Sequence, residues 1–417
     1  MSPFDLNLRH LRGLMAVCDE GSISAAAHTL NLSQPALTQG LMKLETQLGH
    51  ALFERRTSGV VPTDAGRTVA ERVRAALTLL AEGAAFAAGS AAQAERRLSM
   101  TSLRAFTALA EAGDFASASA RVGLSQTAVH RGVRDLEAAL DKKLVERRGR
   151  GVYVNFTGQR FLRACRLAHA ELQAAFFELG VDSQPLRIAI GTTPLARAFL
   201  VPEAMAMMMS HLGPAGFQVF EGSWGELVDS LRDGVIDLIV GELPSYDSPD
   251  ICKTFLCEEP VVIAAGHLHP LVGAAAPDLQ TLASYPWILA PENSPLRAAW
   301  NDLFEGLPPP TAPIECGSIM IIGRLLTSSH MLTLATPDQV ALQIKSGLLA
   351  SVPCPVQTLG RLTVGITTRR RWRPTSVQQI FLDSLATASM QIGKPAAQPP
   401  RMAVDWNDAK VSSALSE

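Results

Sequence analysis

Residues 31–56, NLSQPALTQGLMKLETQLGHALFERR, return as residues 123–148, GLSQTAVHRGVRDLEAALDKKLVERR. The offset is constant: Leu11 matches Leu103, Gly21 matches Gly113, Leu44 and Glu45 match Leu136 and Glu137, and Arg55 and Arg56 match Arg147 and Arg148. A solenoid would need shorter units and at least about three of them. Two long copies followed by unrelated text describe a duplicated module with a different domain behind it.

Each copy reads as helices. Leu8, Leu11, Leu14, Met15 and Cys18 share one helical face. Gly21 and Ser22 break that helix, and Ser22 can cap a second one from Ile23 to Leu30. Ser33 caps a third, with Pro35 in its first turn, where the missing N–H costs nothing. Leu37, Leu41, Leu44 and Leu48 form its buried stripe; Gln34, Thr38, Gln39, Met42 and Lys43 lie on the other face. Two helices joined tightly, the second opening with small polar residues, make a helix-turn-helix. LFERRTSGVVPT then predicts a β-hairpin with Arg55 and Arg56 placed for phosphates. In the second copy Ser125 caps, Val129, Val133, Leu136 and Leu140 are buried, and Gln126, Thr127, His130, Arg131 and Arg134 face outward. Lys142, Lys143, Arg147, Arg148 and Arg150 follow. Gln and Arg at the start of such a helix suit adenine and guanine edges in the major groove.

Charge supports a division of labour. Residues 1–180 carry 22 Lys+Arg against 17 Asp+Glu, and the remainder 15 against 22. Residues 1–92 balance at 8 against 8, so the whole basic excess sits in the second copy. A basic half joined to an acidic half predicts a polyanion-binding end with another task behind it.

SISAAAHTLNLSQPALTQGLMKLETQLGHALFERR resembles the winged helix-turn-helix of LysR-type transcriptional regulators in its Ala pair, its Ser-Gln-Pro-Ala opening, its Leu-Glu before Leu-Gly and its Leu-Phe-x-Arg wing. The second copy keeps Ser-Gln, Leu-Glu and the Arg pair. It departs at Thr127, at Lys143, at Val145, and at Val154 and Asn155, which replace Pro62 and Thr63. The resemblance implies that residues 64–89 and 157–180 are linker helices that pair subunits. Val69, Val73, Leu77 and Leu80, and Phe161, Leu162, Cys165, Leu172 and Phe176, are spaced for a seam. Members of the family usually have one such module per chain; here there are two.

From residue 184 the pattern changes to strands alternating with helices, which predicts parallel α/β sheets. LRDGVIDLIVG and AAGHLHPL resemble the effector domain of the same family, which is similar to periplasmic binding proteins. The expected architecture is thus multidomain: two tandem all-α winged helix-turn-helix domains with linker helices, at 6–92 and 98–180, then a two-lobed α/β effector domain at 186–390. Lobe I is placed at 186–258 plus 362–390, with lobe II between. The Pro/Ala-rich segment 394–417 reads as disordered. The turn at Thr192 and Thr193 follows a strand and is expected to open a helix whose free amides suit a carboxylate. Ser223 and Trp224, and Ser294 from the second lobe, are expected to face the same cleft, and Thr327-Ser328-Ser329-His330 stands where relatives often have a Gly-rich turn.

Several classes are excluded. No Gly-x-Ser-x-Gly, Walker A or dinucleotide fingerprint occurs, so no enzyme and no cofactor is predicted. Cys252, Cys257, His267 and His269 fall across a strand rather than in a compact zinc loop. TTRRRWRP, residues 367–374, reads as a solvated strand end. Six scattered cysteines suit a reducing compartment. No apolar run is long enough to span a bilayer, and MSPFDLNLRHLRGL lacks the pattern of a secretory signal. The expected partners are double-stranded DNA, a small-molecule inducer, further copies of the chain in a cytoplasmic dimer or tetramer, and RNA polymerase, with no membrane. A competing reading, a small-molecule-binding protein whose helical half mediates assembly, draws on the neutral first module.

Overall fold

A computed structural model describes residues 2–57, 59–88, 95–149, 151–181, 187–209, 216–354 and 359–392. The tail expected to be disordered lies outside them.

Local capping chemistry sets the helices of the first module. Helix α1 (Leu8–Glu20) starts at Asn7, whose side chain accepts the Arg9 amide, and stops at Gly21, whose φ of 63° closes the helix in the left-handed region. Helices α2 (Ile23–Thr29) and α3 (Gln34–Leu48) start at Ser22 and Ser33, whose hydroxyls accept the Ala25 and Ala36 amides. Strands β1 (Phe53–Arg56) and β2 (Gly59–Pro62) form the wing, and α4 (Asp64–Ala88) is the linker helix. The second module repeats this as α5 (Met100–Ala112), α6 (Phe115–Val122), α7 (Gln126–Leu140), β3 (Val145–Arg148), β4 (Gly151–Val154) and α8 (Phe156–Glu178).

The two copies agree bond for bond. Glu45 accepts the Leu52 amide at 2.8 Å, as Glu137 accepts that of Leu144 at 2.9 Å. This hydrogen bond fixes the chain as it leaves the recognition helix and explains the Leu-Glu pair in both copies. The Val60 amide reaches Gly21 O at 3.1 Å and the Val152 amide reaches Gly113 O at 2.9 Å, so each wing is tied to the end of its first helix. Thr63 Oγ1 caps α4 through the Gly66 amide; Asn155, which replaces it, caps α8 through Gly158 at the same 2.9 Å. Gly66 and Gly158 permit a close approach, since a Cβ would lie 2.0 and 2.2 Å from the carbonyl oxygens of Leu52 and Leu144. One position differs: where Gly49 ends α3 at φ 70°, Asp141 ends α7 at φ 52°, a left-handed conformation that Asp tolerates better than most residues with a Cβ.

Linker helices α4 and α8 pack against each other within the chain and run antiparallel. The buried positions of α4 are Val69, Val73, Ala76, Leu80, Ala84 and Ala87; those of α8 are Phe161, Cys165, Ala168, Leu172, Ala175 and Phe176. Spacings of three and four are those of interlocking helix seams. Gly83 sits against Ala164, where a Cβ would come within 2.5 Å of the alanine methyl. Towards the other end, buried Arg72 pairs with Glu171 at 3.1 Å. Buried apolar side chains running from Leu6 to Phe176 form one continuous cluster, so the two modules share a core. The resemblance implied a seam between subunits; here both sides of it come from one chain.

The remaining chain builds two five-stranded sheets. Lobe I has the order β6-β5-β7-β14-β8, from β5 (Arg187–Thr192), β6 (Gly216–Glu221), β7 (Leu238–Glu242), β8 (Ile251–Pro260) and β14 (Arg361–Arg369). Lobe II has the order β11-β10-β12-β9-β13, from β9 (Val262–Gly266), β10 (Trp287–Leu289), β11 (Ile314–Glu315), β12 (Leu332–Ala335) and β13 (Leu349–Val352). The sheets are mixed, not parallel as expected: β14 runs antiparallel to both β7 and β8, and β9 to both β12 and β13. The reason is connectivity. The chain crosses directly from β8, which ends at Pro260, into β9, which starts at Val262, with no helix between to reverse it. Around the sheets lie α9 (Leu200–Met209), α10 (Trp224–Arg232), α11 (Leu279–Ala283), α12 (Pro295–Leu303), α13 (Ile319–Thr327), α14 (Pro337–Lys345) and α15 (Ser376–Ser389).

TTRRRWRP ends a strand and is solvated only in part: Arg370, Arg371 and Arg373 are exposed, while Thr367 is buried. Arg369 is half-buried and donates to Leu231 O and Ile236 O, each at 2.7 Å. Arg371 pairs with Glu82 of α4 at 2.6 Å, and Arg72 donates to Arg373 O and Pro374 O. The run docks the effector domain onto the linker helices. Charge alone does not reveal what covers an arginine.

Candidate nucleic-acid interface and effector cleft

The recognition helices α3 and α7 bury their leucine and valine stripes and leave the opposite face bare. Gln34, Pro35, Gln39, Met42 and Lys43 are exposed and Thr38 is half-buried; in the second module Gln126, Thr127, Arg131 and Arg134 are exposed. Ser33 and Ser125 are exposed as well, but each spends its oxygen as a cap on Ala36 or Ala128, and the Ser125 hydroxyl also hydrogen-bonds the Thr127 hydroxyl at 2.9 Å. Arg55, Arg134 and Arg147 have no ion-pair partner among the described residues, whereas Arg56 pairs with Glu54 at 2.5 Å. Arg131 approaches Asp135, one turn along, at 3.8 Å. Arg148 ends β3, paired in register with Gly151.

His130 departs from the outward-facing expectation. Its ring stacks on Phe115 of α6 with centroids 3.5 Å apart. Burial lowers its pKa, and Arg147 and Arg134 lower it further. Its counterpart is Thr38, and opposite that Ile23 stands for Phe115. The stacking therefore belongs to the second copy.

In the effector domain, Thr192 and Thr193 are buried at the end of β5, but their amides are not a free cradle. The Thr193 amide donates to Val240 O, its hydroxyl donates to Glu242, and a regular helix begins only at Leu200. Ser223 caps α10 in a reciprocal arrangement with Glu226. Trp224 is buried with Leu227, Leu231, Ile236 and Ile239, its ring edge-on to Tyr246. Ser294 caps α12 through Arg297 N. Thr327, Ser328 and Ser329 turn their hydroxyls back onto carbonyls of the last turn of α13. Each of these hydroxyls does local structural work.

Two side chains do bridge the lobes. Arg197 of lobe I pairs with Glu221 at 2.9 Å and donates to Gly317 O of lobe II at 3.0 Å. Gln339 of lobe II donates to Pro194 O at 3.1 Å. Neither was singled out from the sequence, because a lone Arg in PLARAF carries no signal until the fold brings Gly317 to it. Nearby on the crossover, Glu259 is buried with one carboxylate oxygen unpartnered, and burial pushes it up to about 7. No His/Cys/Asp/Glu cluster among the described residues could hold a metal, and Cys252 is exposed on β8. Among the described residues no helix is long and apolar enough to cross a membrane.

Comparison with known proteins agrees with this architecture. The family described as "Bacterial regulatory helix-turn-helix protein, lysR family" matches twice, at residues 8–67 and 100–159, and "LysR substrate binding domain" matches 182–389. The chain is 28% identical to the HTH-type transcriptional regulator GalR of Pseudomonas putida over 359 residues, 83% of this chain and 88% of that one. It is 33% identical over 255 residues to the SDS degradation transcriptional activation protein of a Pseudomonas species, 60% of this chain and 82% of that one. Among solved structures, full-length OxyR from Pseudomonas aeruginosa is similar with a TM-score of 0.56 at 22% identity, covering 72% of this chain and 97% of that one. ArgP from Mycobacterium tuberculosis gives 0.57 at 17% identity, covering 70% and 97%. These two share the fold.

Proposed function

The chain belongs to the LysR family of DNA-binding transcriptional regulators, and on that premise we propose that it is a regulator whose DNA grip is set by a small anionic molecule held between the effector lobes. The observation that carries the reading is the tie of Arg197 across the cleft. A guanidinium that holds a carbonyl of the opposite lobe is a natural anchor for a carboxylate, which it would grip more strongly than a neutral acceptor. Ligand binding there would exchange Gly317 O for the carboxylate and alter the angle between lobes. The docked arginine run at the end of β14 links lobe I to the linker helices and so to the two DNA-reading heads.

On DNA, Gln34, Gln39 and Lys43 of the first module and Gln126, Arg131 and Arg134 of the second would address base edges. Arg55, Arg56 and Arg147 would meet phosphates; the Arg148 side chain lies outside the described residues. Ser33, Pro35, Thr38, Ser125 and Thr127 would shape the helix starts that enter the groove, with His130 bracing the second. In the cleft, Thr192, Thr193, Ser223, Trp224 and Ser294 would hold the walls around Arg197 rather than touch the ligand's charge. The test is a thermal-shift panel of small carboxylates and their neutral amides. The expected result is stabilisation by one carboxylate class that Arg197→Met abolishes while promoter-DNA binding persists. Equal stabilisation of both proteins would refute the anchor.

A further inference from the structure

The apolar faces of α4 and α8 are spent on each other. Val73 and Ala84 of the first helix and Phe161 of the second are fully buried, with Leu80 and Cys165 nearly so, so this seam is filled from within one chain. The pairing is also internally symmetric. With the 92-residue offset (164 against 72, 175 against 83), Ala164 is the counterpart of Arg72, and Ala175 that of Gly83. The contact of Gly83 with Ala164 therefore has its mate at Arg72 and Ala175, two positions that are both buried. Arg74 holds Asp19 at 2.6 Å, and its counterpart Arg166 reaches Glu111, the counterpart of Asp19, at 4.0 Å. Glu95, ahead of the second module, pairs with Arg12 of the first at 2.7 Å. His50 of the first module reaches Leu179 O of the second at 2.9 Å, and Phe4 stacks on His169. The two heads are thus related by an approximate twofold axis inside one polypeptide.

We infer that one chain is a complete, asymmetric DNA-reading pair whose operator is a duplex of two dissimilar half-sites in a fixed order. This rests on the regulator reading above. A twofold pair made from identical subunits presents identical recognition helices and favours a palindrome. Here the equivalent faces differ: Gln39 stands where Arg131 does, Met42 where Arg134 does, and Thr38 where the stacked His130 does. Amide side chains pair with the N6 and N7 edge of adenine, and guanidinium groups with the O6 and N7 edge of guanine. The first head therefore selects an adenine-bearing half-site and the second a guanine-bearing one. Because the chain has a direction, its effector domain takes a set orientation along the promoter. Whole chains that associate through surfaces other than this seam would present four heads to two such composite sites.

The experiment selects the full-length protein against a randomised duplex library and weighs the resulting complexes by sedimentation. The expected outcome is a composite motif of two unlike half-sites in constant order, with one chain for each pair of half-sites. Duplexes made palindromic with either half-site should bind about tenfold more weakly or worse, and Arg131→Gln should relax the second half-site alone by about tenfold at one base pair. Enrichment of a true inverted repeat, or a requirement for two chains per pair of half-sites, overturns the inference and leaves the regulator reading standing. Failure to enrich any sequence, with no salt-dependent DNA binding, overturns both.

Discussion

Exchanging one methyl group across the linker seam tests the intrachain pairing directly. Gly83→Ala would place a Cβ 2.5 Å from the methyl of Ala164, when carbon atoms prefer about 3.5–4.0 Å. Overpacking of this kind costs about 1–3 kcal/mol, offset by about 1 kcal/mol of helix propensity gained over glycine. The net loss is about 1 kcal/mol. Ala164→Gly alone gives up about 1 kcal/mol of propensity and about 1 kcal/mol of methyl burial. In the double variant the propensity terms cancel and the buried methyl has only changed helices, so stability should return close to the starting value. The favourable coupling is then about 2 kcal/mol or more, against the few tenths expected of independent sites. Hydrogen exchange of the α4 and α8 amides in the full chain reports this opening energy without requiring the domains to unfold together. A coupling below about 0.5 kcal/mol would show that Gly83 and Ala164 do not meet.

Glu45→Ala and Glu137→Ala should each free a wing by orphaning the Leu52 or Leu144 amide, at about 1–3 kcal/mol, read as faster exchange at that amide. The second should be worse, because Glu137 also binds Lys143 at 2.7 Å and takes the Val145 amide. Burial raises Glu259 from 4.5 to about 7, and Asp338 beside it is raised by burial too. Stability linked to protonated Glu259 is full below pH 4.5 and is lost as pH rises through 7, by up to about 3 kcal/mol. Melting of Glu259→Gln should be flatter across this window and higher than wild type at pH 8; an unchanged profile would refute the assignment. Arg131→Ala should weaken DNA binding more than Gln39→Ala, and Arg147→Ala should reduce the slope of log K on log salt by about one unit; equal losses in the first pair would place the affinity elsewhere.

What the sequence made legible is what neighbouring residues decide. The caps at Ser22, Ser33 and Ser125, the Leu37 to Leu48 stripe and the α8 positions all depend on contacts or periodicities within a few residues, and they appear in the structure as expected. A stripe says that a helix must be covered, not by what, so the partner of α4 could be assigned to another subunit before the coordinates placed α8 there. The cleft was harder still. Thr193 looked free because its amide partner, Val240, lies on a different strand, and Arg197 gains meaning only when Gly317 arrives from the other lobe. The stacking of His130 was not legible because the Phe115 that meets it sits on the preceding helix.

The shared core of the two modules also sets how the protein behaves when scarce. A head pair assembled from separate subunits dissociates as its concentration drops below the pairing constant. Tethered partners see each other at an effective concentration on the order of millimolar, whatever the number of chains present. A cell holding only a few copies would keep every one of them competent to engage both half-sites, and dilution would change occupancy of the operator without changing the shape of the binding curve.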